Sequence, residues 1–298
     1  YLAGMVGISW WLSHGQHDES DYYVGGRKLP WWALSLSTMA TQSSANSFLG
    51  IPAFVALAPG GGLTWLQYEL ALPFAMILLL LFLVPVFRGL HLISIYEYLE
   101  KRFDRGTRVL LSAVFLLSRG LATGVALYAA ALVVQVCTGW PLAWSIMLMG
   151  GITVVYDTLG GMKAVVWSDV VQMVVLFAGI FVCGSIALGT AGGWEAALAT
   201  HAPERLAGIE FAHGLGDGAR SPFWGFLLGG LVLYLSYYGV DQSQVQRQLA
   251  ASSVRDAQRT LIFNGVARFP LTLLYAGLGL AVGAVYHLSP ELRAAVPD

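Results

Sequence analysis

The chain has 298 residues, of which 57% are hydrophobic and only 11% charged. An ordinary soluble domain carries roughly 25% charge, so neither a soluble enzyme nor an extended disordered chain fits this composition. Sixteen basic and 17 acidic residues leave a net charge of −1, and with no basic stripe to attract phosphates a nucleic-acid partner is not expected.

A membrane-crossing helix needs about 20 mostly apolar residues. Runs without Asp, Glu, Lys or Arg cover 29–68, 70–87, 120–156, 170–194, 221–240 and 269–290. The run 120–156 is too long for one helix and is divided by the turn signal Thr138-Gly139-Trp140-Pro141. In chain order the predicted helices are a partial span at 1–13, then 31–57, 66–87, 109–137, 141–158, 164–190, 222–246 and 261–287. The start at Tyr1, inside an apolar run with no basic leader, reads as a cut chain rather than a signal peptide. One membrane domain, 1–298, is the simplest organisation. The connection 191–221 mixes Gly, Ala, Pro, His and acids and is expected to carry a short surface helix.

Sidedness follows from basic residues in short loops. The loops 14–30, 88–108, 159–163 and 247–260 hold eleven Lys and Arg, whereas 58–65, 138–140, 191–221 and 288–298 hold only Arg205, Arg220 and Arg293. The first set is expected to be cytoplasmic in a multi-pass protein of the cell membrane. Most of the ten Trp, including Trp10, Trp11, Trp140 and Trp144, fall near predicted helix ends, where interfacial anchors sit.

The run Leu34–Pro52 is uncharged yet crowded with Ser35, Ser37, Thr38, Thr41, Gln42, Ser43, Ser44, Asn46 and Ser47. A lipid-facing helix gains nothing from these groups. Gly50 and Pro52 weaken helical hydrogen bonding nearby, and an interior helix with a local break does gain, because unwound backbone frees carbonyl oxygens that suit a small cation, and broken helices at mid-membrane mark secondary-transporter sites. Tight packing with interhelical hydrogen bonds is the plainer alternative.

Isolated charges inside apolar spans are costly and need partners. Arg119 would suit a bidentate hold on a solute carboxylate, or a structural pair, or it could snorkel. Asp169 could neutralise an ion on its route or pair with Lys163. Asp241 and Gln242, after Tyr237-Tyr238-Gly239, could form an inner gate or pair with Arg247. Arg268 is expected to face cytoplasmic headgroups. The run Gly277-Leu-Gly-Leu-Ala-Val-Gly283 has the wrong spacing for a dinucleotide fingerprint and reads as close helix packing. No Gly-x-Ser-x-Gly elbow, phosphate loop or zinc spacing occurs, so no catalytic chemistry is expected.

Five ordered stretches carry a resemblance: Asp21–Pro30, Met39–Gly50, Ser94–Phe103, Tyr156–Gln172 and Asp241–Ala250. Together they make the chain resemble the sodium/solute symporter family, which includes sodium–glucose, sodium–proline and sodium–sialic acid carriers. The resemblance implies an all-α polytopic membrane protein with a leucine-transporter-like inverted-repeat fold, truncated at both ends. On that mapping 1–13 is the tail of an extra helix, 31–190 the first five-helix repeat and 222–287 the first two helices of the second, the remainder being absent. It implies backbone carbonyls of Ala40 and Ser43 toward Na+, and Asp169 toward a second ion site. It places Ser47, Gln42, Arg119 and Gln242 on the side of the solute. Where many members have Asn-Gln, this chain has Asp241-Gln242, which weighs against a neutral sugar and, with Arg119, toward a carboxylate-bearing solute.

The expected function is therefore sodium-coupled import of a small organic solute by alternating access, in a lipid bilayer and without an obligate protein partner. The alternative is a transporter-like input module of a signalling sensor.

Overall fold

The computed structural model describes residues 2–14, 16, 18–90, 92–216 and 222–295. Among them the regular structure is helical, apart from one parallel bridge pairing Leu29 with Ala251. The helices that matter here are α1 (Leu2–Ser13), α2 (Glu19–Val24), α3 (Trp31–Gln42), α4 (Ala45–Ala56), α5 (Leu63–Phe87), α6 (Ile95–Arg102), α7 (Arg105–Thr138), α8 (Leu142–Ala191), α9 (Trp194–Ala199), α10 (Phe223–Gly239), α11 (Gln242–Leu249) and α12 (Val254–Leu288).

Local chemistry sets many of the boundaries. Ser94 caps α6 by accepting from the Tyr96 amide at 3.2 Å, and Glu97 reaches back to the Ile93 amide at 3.1 Å, a reciprocal arrangement that satisfies orphan donors at a helix start. Asp104 opens α7 by accepting from the Thr107 amide at 2.6 Å. Gly139 closes α7 in the left-handed region at φ +73°, giving its N–H to the Gln135 carbonyl, and Pro141 follows. Helix α5 carries a π-turn over Leu79–Leu83, and Gly239 approaches it so closely that a Cβ there would sit 2.9 Å from Leu79.

Among the described residues four helices, α5, α7, α8 and α12, are long and apolar enough to cross a membrane, and α10 with α11 makes a fifth if that bent pair is one span. The 50 residues of α8 would extend about 75 Å at 1.5 Å per residue, far beyond one bilayer. They divide at Gly161, whose φ +54° and ψ −156° are not helical. The break falls within the turn 159–163 predicted between two spans. The predicted span 31–57 is realised as α3 and α4, 12 residues each, because the chain leaves the helix at Ser43 and Ser44 rather than at Gly50 or Pro52, which both lie inside α4. Along α7 only 6% of the apolar stretch is buried. Trp10, Trp11, Trp140 and Trp144 are all exposed.

The chain divides into two compact units. The first comprises Tyr1–Asn46, Leu78–Met173 and Ser236–Asn264, and the second Ser47–Ile77, Val174–Leu235 and Gly265–Asp298.

In the first unit α3 is the centre. Its Ser35, Ser37 and Thr38 are fully buried, and neighbours supply partners. Asn264 donates to the Ser35 carbonyl at 3.2 Å, Thr260 to the Trp31 carbonyl at 3.3 Å, and Gln244 to the Thr38 carbonyl at 3.4 Å. The connection before α3 is tied to the break in α8, with Tyr22 Oη donating to the Thr158 carbonyl at 3.0 Å and Gln16 donating to that of Gly160.

In the second unit the glycine run of α12 works by close approach. A Cβ at Gly279 would lie 2.8 Å from the Pro52 carbonyl oxygen, and one at Gly283 2.8 Å from His201. The connection 191–221 carries the expected short surface helix, α9, of whose six residues only Ala197 is buried, and the segment after it is tied down by its side chains. Ala197 of α9 is fully buried, the His201 ring bonds the Leu280 carbonyl at 2.8 Å, and Arg205 donates to the carbonyls of Val55 and Leu57 at 3.2 Å each. Carbonyls at the C-terminal end of α4, which have no intrahelical partners, and the small residues of α12 give this segment something to bind. Arg220, counted in the charge bias, lies outside the described residues.

Candidate functional site

The break between α3 and α4 leaves carbonyls without ordinary helical partners. Ser43, at φ −98° and ψ 73°, folds its amide back to the carbonyls of Ala40 at 2.9 Å and Met39 at 3.0 Å. A carbonyl has two lone pairs, so Ala40 keeps acceptor capacity beyond this bond. Ala40 and Ser43 are half-buried, as is Gln42 between them.

The break is braced by the end of α10. Tyr238 Oη donates to the Gln42 amide oxygen at 2.6 Å, and Tyr237 Oη to the Thr41 carbonyl at 3.3 Å. Three residues beyond Tyr238, Asp241 caps α11. Its Oδ1 accepts from the Ser243 amide at 2.8 Å and also from the Ser243 hydroxyl, and its Oδ2 lies 3.6 Å from Arg119 of α7. The next residue, Gln242, turns its amide oxygen to the Ile95 amide at 2.9 Å and the Ser94 hydroxyl at 3.3 Å, pinning the start of α6.

Beside this junction lies a cavity of about 540 Å³ with Phe87, Tyr96, Phe115, Ser236, Val240 and Asp241 in its walls. Tyr96, on α6, has its phenol pushed up to about 12 from an ordinary 10, first by burial and then by the nearby Asp241 charge.

Deeper in the same unit, Asp169 accepts from Ser37 at 2.5 Å and from Arg247 Nη2 at 2.8 Å, while Arg247 Nε donates to Ser37 at 2.7 Å. The three side chains close a ring joining α3, α8 and α11. Arg247 also donates to the Ser243 carbonyl. Arg247 is 6% exposed and Asp169 9%, so this is an ion pair with little access to water.

These positions redistribute the charges that the sequence left open. Asp169 pairs with Arg247, while Lys163 stands 3.8 Å from Asp21. Asp241 pairs with Arg119 rather than with Arg247. The structure therefore brings Gln42, Ala40, Ser43 and Asp169 around α3, and ties Gln42 through α10 to the Arg119–Asp241 pair. Ser47 is half-buried in α4 and belongs to the second unit.

Arg268 departs from its expected place at the headgroups. It is 4% exposed, with Nε 3.5 Å from Glu69 Oε1. Glu69 is 2% exposed and accepts from Tyr234 at 2.8 Å and Thr272 at 2.9 Å. Burial of the guanidinium is possible because the carboxylate is buried with it. The signal was present in the sequence, since Glu69 is the single charge separating the runs 29–68 and 70–87. An isolated acid at that depth demands a partner.

Long apolar helices, a broken helix and buried charges in pairs define a multi-pass membrane protein of the transporter type. Residues 22–294 match the family described as "Sodium:solute symporter family". The chain belongs to that family, which is one of transporters rather than enzymes. It is 34% identical to the human sodium/iodide cotransporter over the whole chain and 46% of that protein. It is 30% identical to the sodium/glucose cotransporter of Vibrio parahaemolyticus over the whole chain and 56% of that protein. The fold matches a Na+-coupled sialic acid symporter, solved substrate-bound and outward-open, with a TM-score of 0.90 and 26% identity over the whole chain and 62% of that structure. The chain thus spans about half the length of these curated relatives.

Proposed function

We propose that the protein carrying this chain is a sodium-coupled symporter that imports a small, carboxylate-bearing organic solute across the cell membrane by alternating access. The observation that carries the reading is the helix break at Ser43 and Ser44, in a chain of this family, braced by Tyr237 and Tyr238. Carbonyls of Ala40 and Ser43 take part in holding Na+. Their ligand field is hard oxygen, which suits an alkali cation. Binding there stabilises one geometry of the break, and Tyr238 transmits that geometry to Gln42, which faces the solute. Ser47 is assigned to the solute from the sequence resemblance.

Asp169 serves the inward route of the ion. Its charge is compensated by Arg247, so a cation drawn to this carboxylate must loosen that pair. Arg119 provides the carboxylate contact, and Gln242 acts by holding α6 beside the same junction. The loops 14–30, 88–108, 159–163 and 247–260 face the cytoplasm, as the bias of basic residues supports. Coupling requires Na+ and solute to favour each other's binding, a preference that is reciprocal. The membrane potential contributes about 2.3 kcal/mol per charge per 100 mV.

The test is uptake into sealed liposomes containing the full-length protein under an inward sodium gradient. Labelled sialic acid, short monocarboxylates, proline and glucose form the panel. Sodium-dependent uptake of an acid that Arg119→Ala abolishes supports both parts of the reading. Sodium-dependent uptake of glucose with Arg119→Ala fully active overturns the carboxylate assignment. Absence of sodium-dependent uptake across the panel overturns transport of these solutes.

A further inference from the structure

The Arg119–Asp241 pair has features of an exchangeable contact. The Nη1–Oδ2 separation of 3.6 Å is an ion pair without a hydrogen bond. Among the described residues Arg119 makes no hydrogen bond, so its planar fork of donors is compensated in charge but not in geometry. The side chains of Arg119 and Asp241 are 34% and 19% exposed, unlike those of Arg247 and Asp169 at 8% and 12%. Asp241 also divides its labour. Oδ1 is committed to the start of α11, and Oδ2 alone is turned to Arg119. A carboxylate arriving with better geometry can thus replace Oδ2 without unmaking the cap.

The neighbouring cavity states what else the incoming molecule must be. Its volume of about 540 Å³ falls within the ordinary range for small-molecule pockets. Its wall is mostly hydrocarbon and aromatic, with Phe87, Leu99, Leu111 and Phe115 among the lining groups, and the hydroxyls of Tyr96, Tyr98, Ser118 and Ser236 are set among them. A body with more hydroxyls than these four side chains can pair would leave the rest without partners, at a cost. An apolar or aryl body would not.

We infer that Asp241 is a built-in stand-in for a ligand carboxylate: it occupies Arg119 until a monocarboxylate with an apolar body displaces it and lays that body in the adjoining cavity. This rests on the reading of Arg119 as a carboxylate contact given above, and adds to it a competitor inside the chain. Asp241 then sets the threshold of affinity and the preference among acids, since only a head that outcompetes it gains Arg119.

The experiment measures sodium-driven uptake of labelled phenylacetate and of sialic acid by the full-length protein in liposomes, with phenylacetamide as the uncharged competitor. The decisive variant is Asp241→Asn. Asparagine caps helices as well as aspartate does, so α11 is retained while the competing charge is removed. The expected result is a two- to fivefold lower half-saturating concentration of phenylacetate, the size of a partly exposed ion pair. Inhibition by phenylacetamide stays unchanged, and parent uptake of phenylacetate exceeds that of sialic acid.

An unchanged or higher half-saturating concentration for phenylacetate in Asp241→Asn overturns the inference, as does no phenylacetate uptake by the parent. In either case loss of acid uptake in Arg119→Ala leaves the carboxylate reading standing. If Arg119→Ala transports every acid normally, the underlying reading fails and this inference with it. Phenylacetate can reach the cavity from water or from the bilayer. Adding dodecanoate within the liposome membrane separates the two routes. Competitive inhibition of phenylacetate uptake by dodecanoate that becomes stronger in Asp241→Asn assigns entry from the lipid, and its absence alongside phenylacetate uptake assigns entry from solution.

Discussion

Asp169 and Arg247 are the most strongly interlocked charges in the first unit, and removing either one tests whether the ring with Ser37 holds α3, α8 and α11 together. Asp169→Asn keeps the shape of the side chain but leaves the Arg247 guanidinium buried without its carboxylate. Breaking a buried pair in this way costs about 3–5 kcal/mol. A guanidinium cannot shed its proton, so this variant is expected near the upper end. Arg247→Met instead leaves a carboxylate, which can bind a proton, and the loss is expected near the lower end. The double variant Asp169→Asn/Arg247→Met removes both charges of the pair. Replacing a buried pair by uncharged groups of similar volume is often close to neutral, so the double is expected to be more stable than Asp169→Asn by roughly 2 kcal/mol or more. The assay is reversible unfolding of the full-length protein in mixed micelles, read for all four members of the cycle. Contacting charges are non-additive, whereas independent sites add within about 0.5 kcal/mol. Strict additivity of the two single losses would refute the ring as the element that joins these helices.

Three further outcomes follow from other positions. Glu69→Gln removes the acid facing buried Arg268 and is expected to destabilise by about 3–5 kcal/mol. An unchanged thermal midpoint in detergent would contradict that burial. Gly161→Ala places a side chain at φ +54°, with its Cβ 2.7 Å from the Tyr22 carbonyl oxygen, and is expected to cost roughly 1–3 kcal/mol. Wild-type stability in that variant would mean the break in α8 is not held as described. The Tyr96 phenol has its pKa raised from 10.0 to about 12. The folded state therefore retains this proton longer than the unfolded chain does. Its contribution to stability is constant below pH 10 and is lost as pH rises from 10 to 12. Tyrosinate absorbance of the wild type minus that of Tyr96→Phe should show the missing transition near 12, and a transition near 10 would sink the assignment.

The sequence by itself determined the helical class, the membrane setting and the break at Gly161; it called for a break within Leu34–Pro52 without locating it, and it read 222–246 as one span where the helix ends at Gly239. What it determined depends on neighbours in the chain. Apolar length decides what can enter a bilayer, Gly160-Gly161 permits a backbone that other residues resist, and the polar run Leu34–Pro52 cannot face lipid wherever it ends up. Motif spacing carried the family for the same reason. What only the tertiary structure decided was which charge meets which. Asp169 had Lys163 within six residues, yet it pairs with Arg247, 78 positions away. Asp241 takes Arg119 rather than Arg247, six residues further on. Arg268 left the headgroups for Glu69, whose partners Tyr234 and Thr272 come from two other helices. A charge in an apolar span announces that it needs a partner, but the choice among candidates depends on how helices pack, because the Coulomb energy falls with distance in space rather than along the chain.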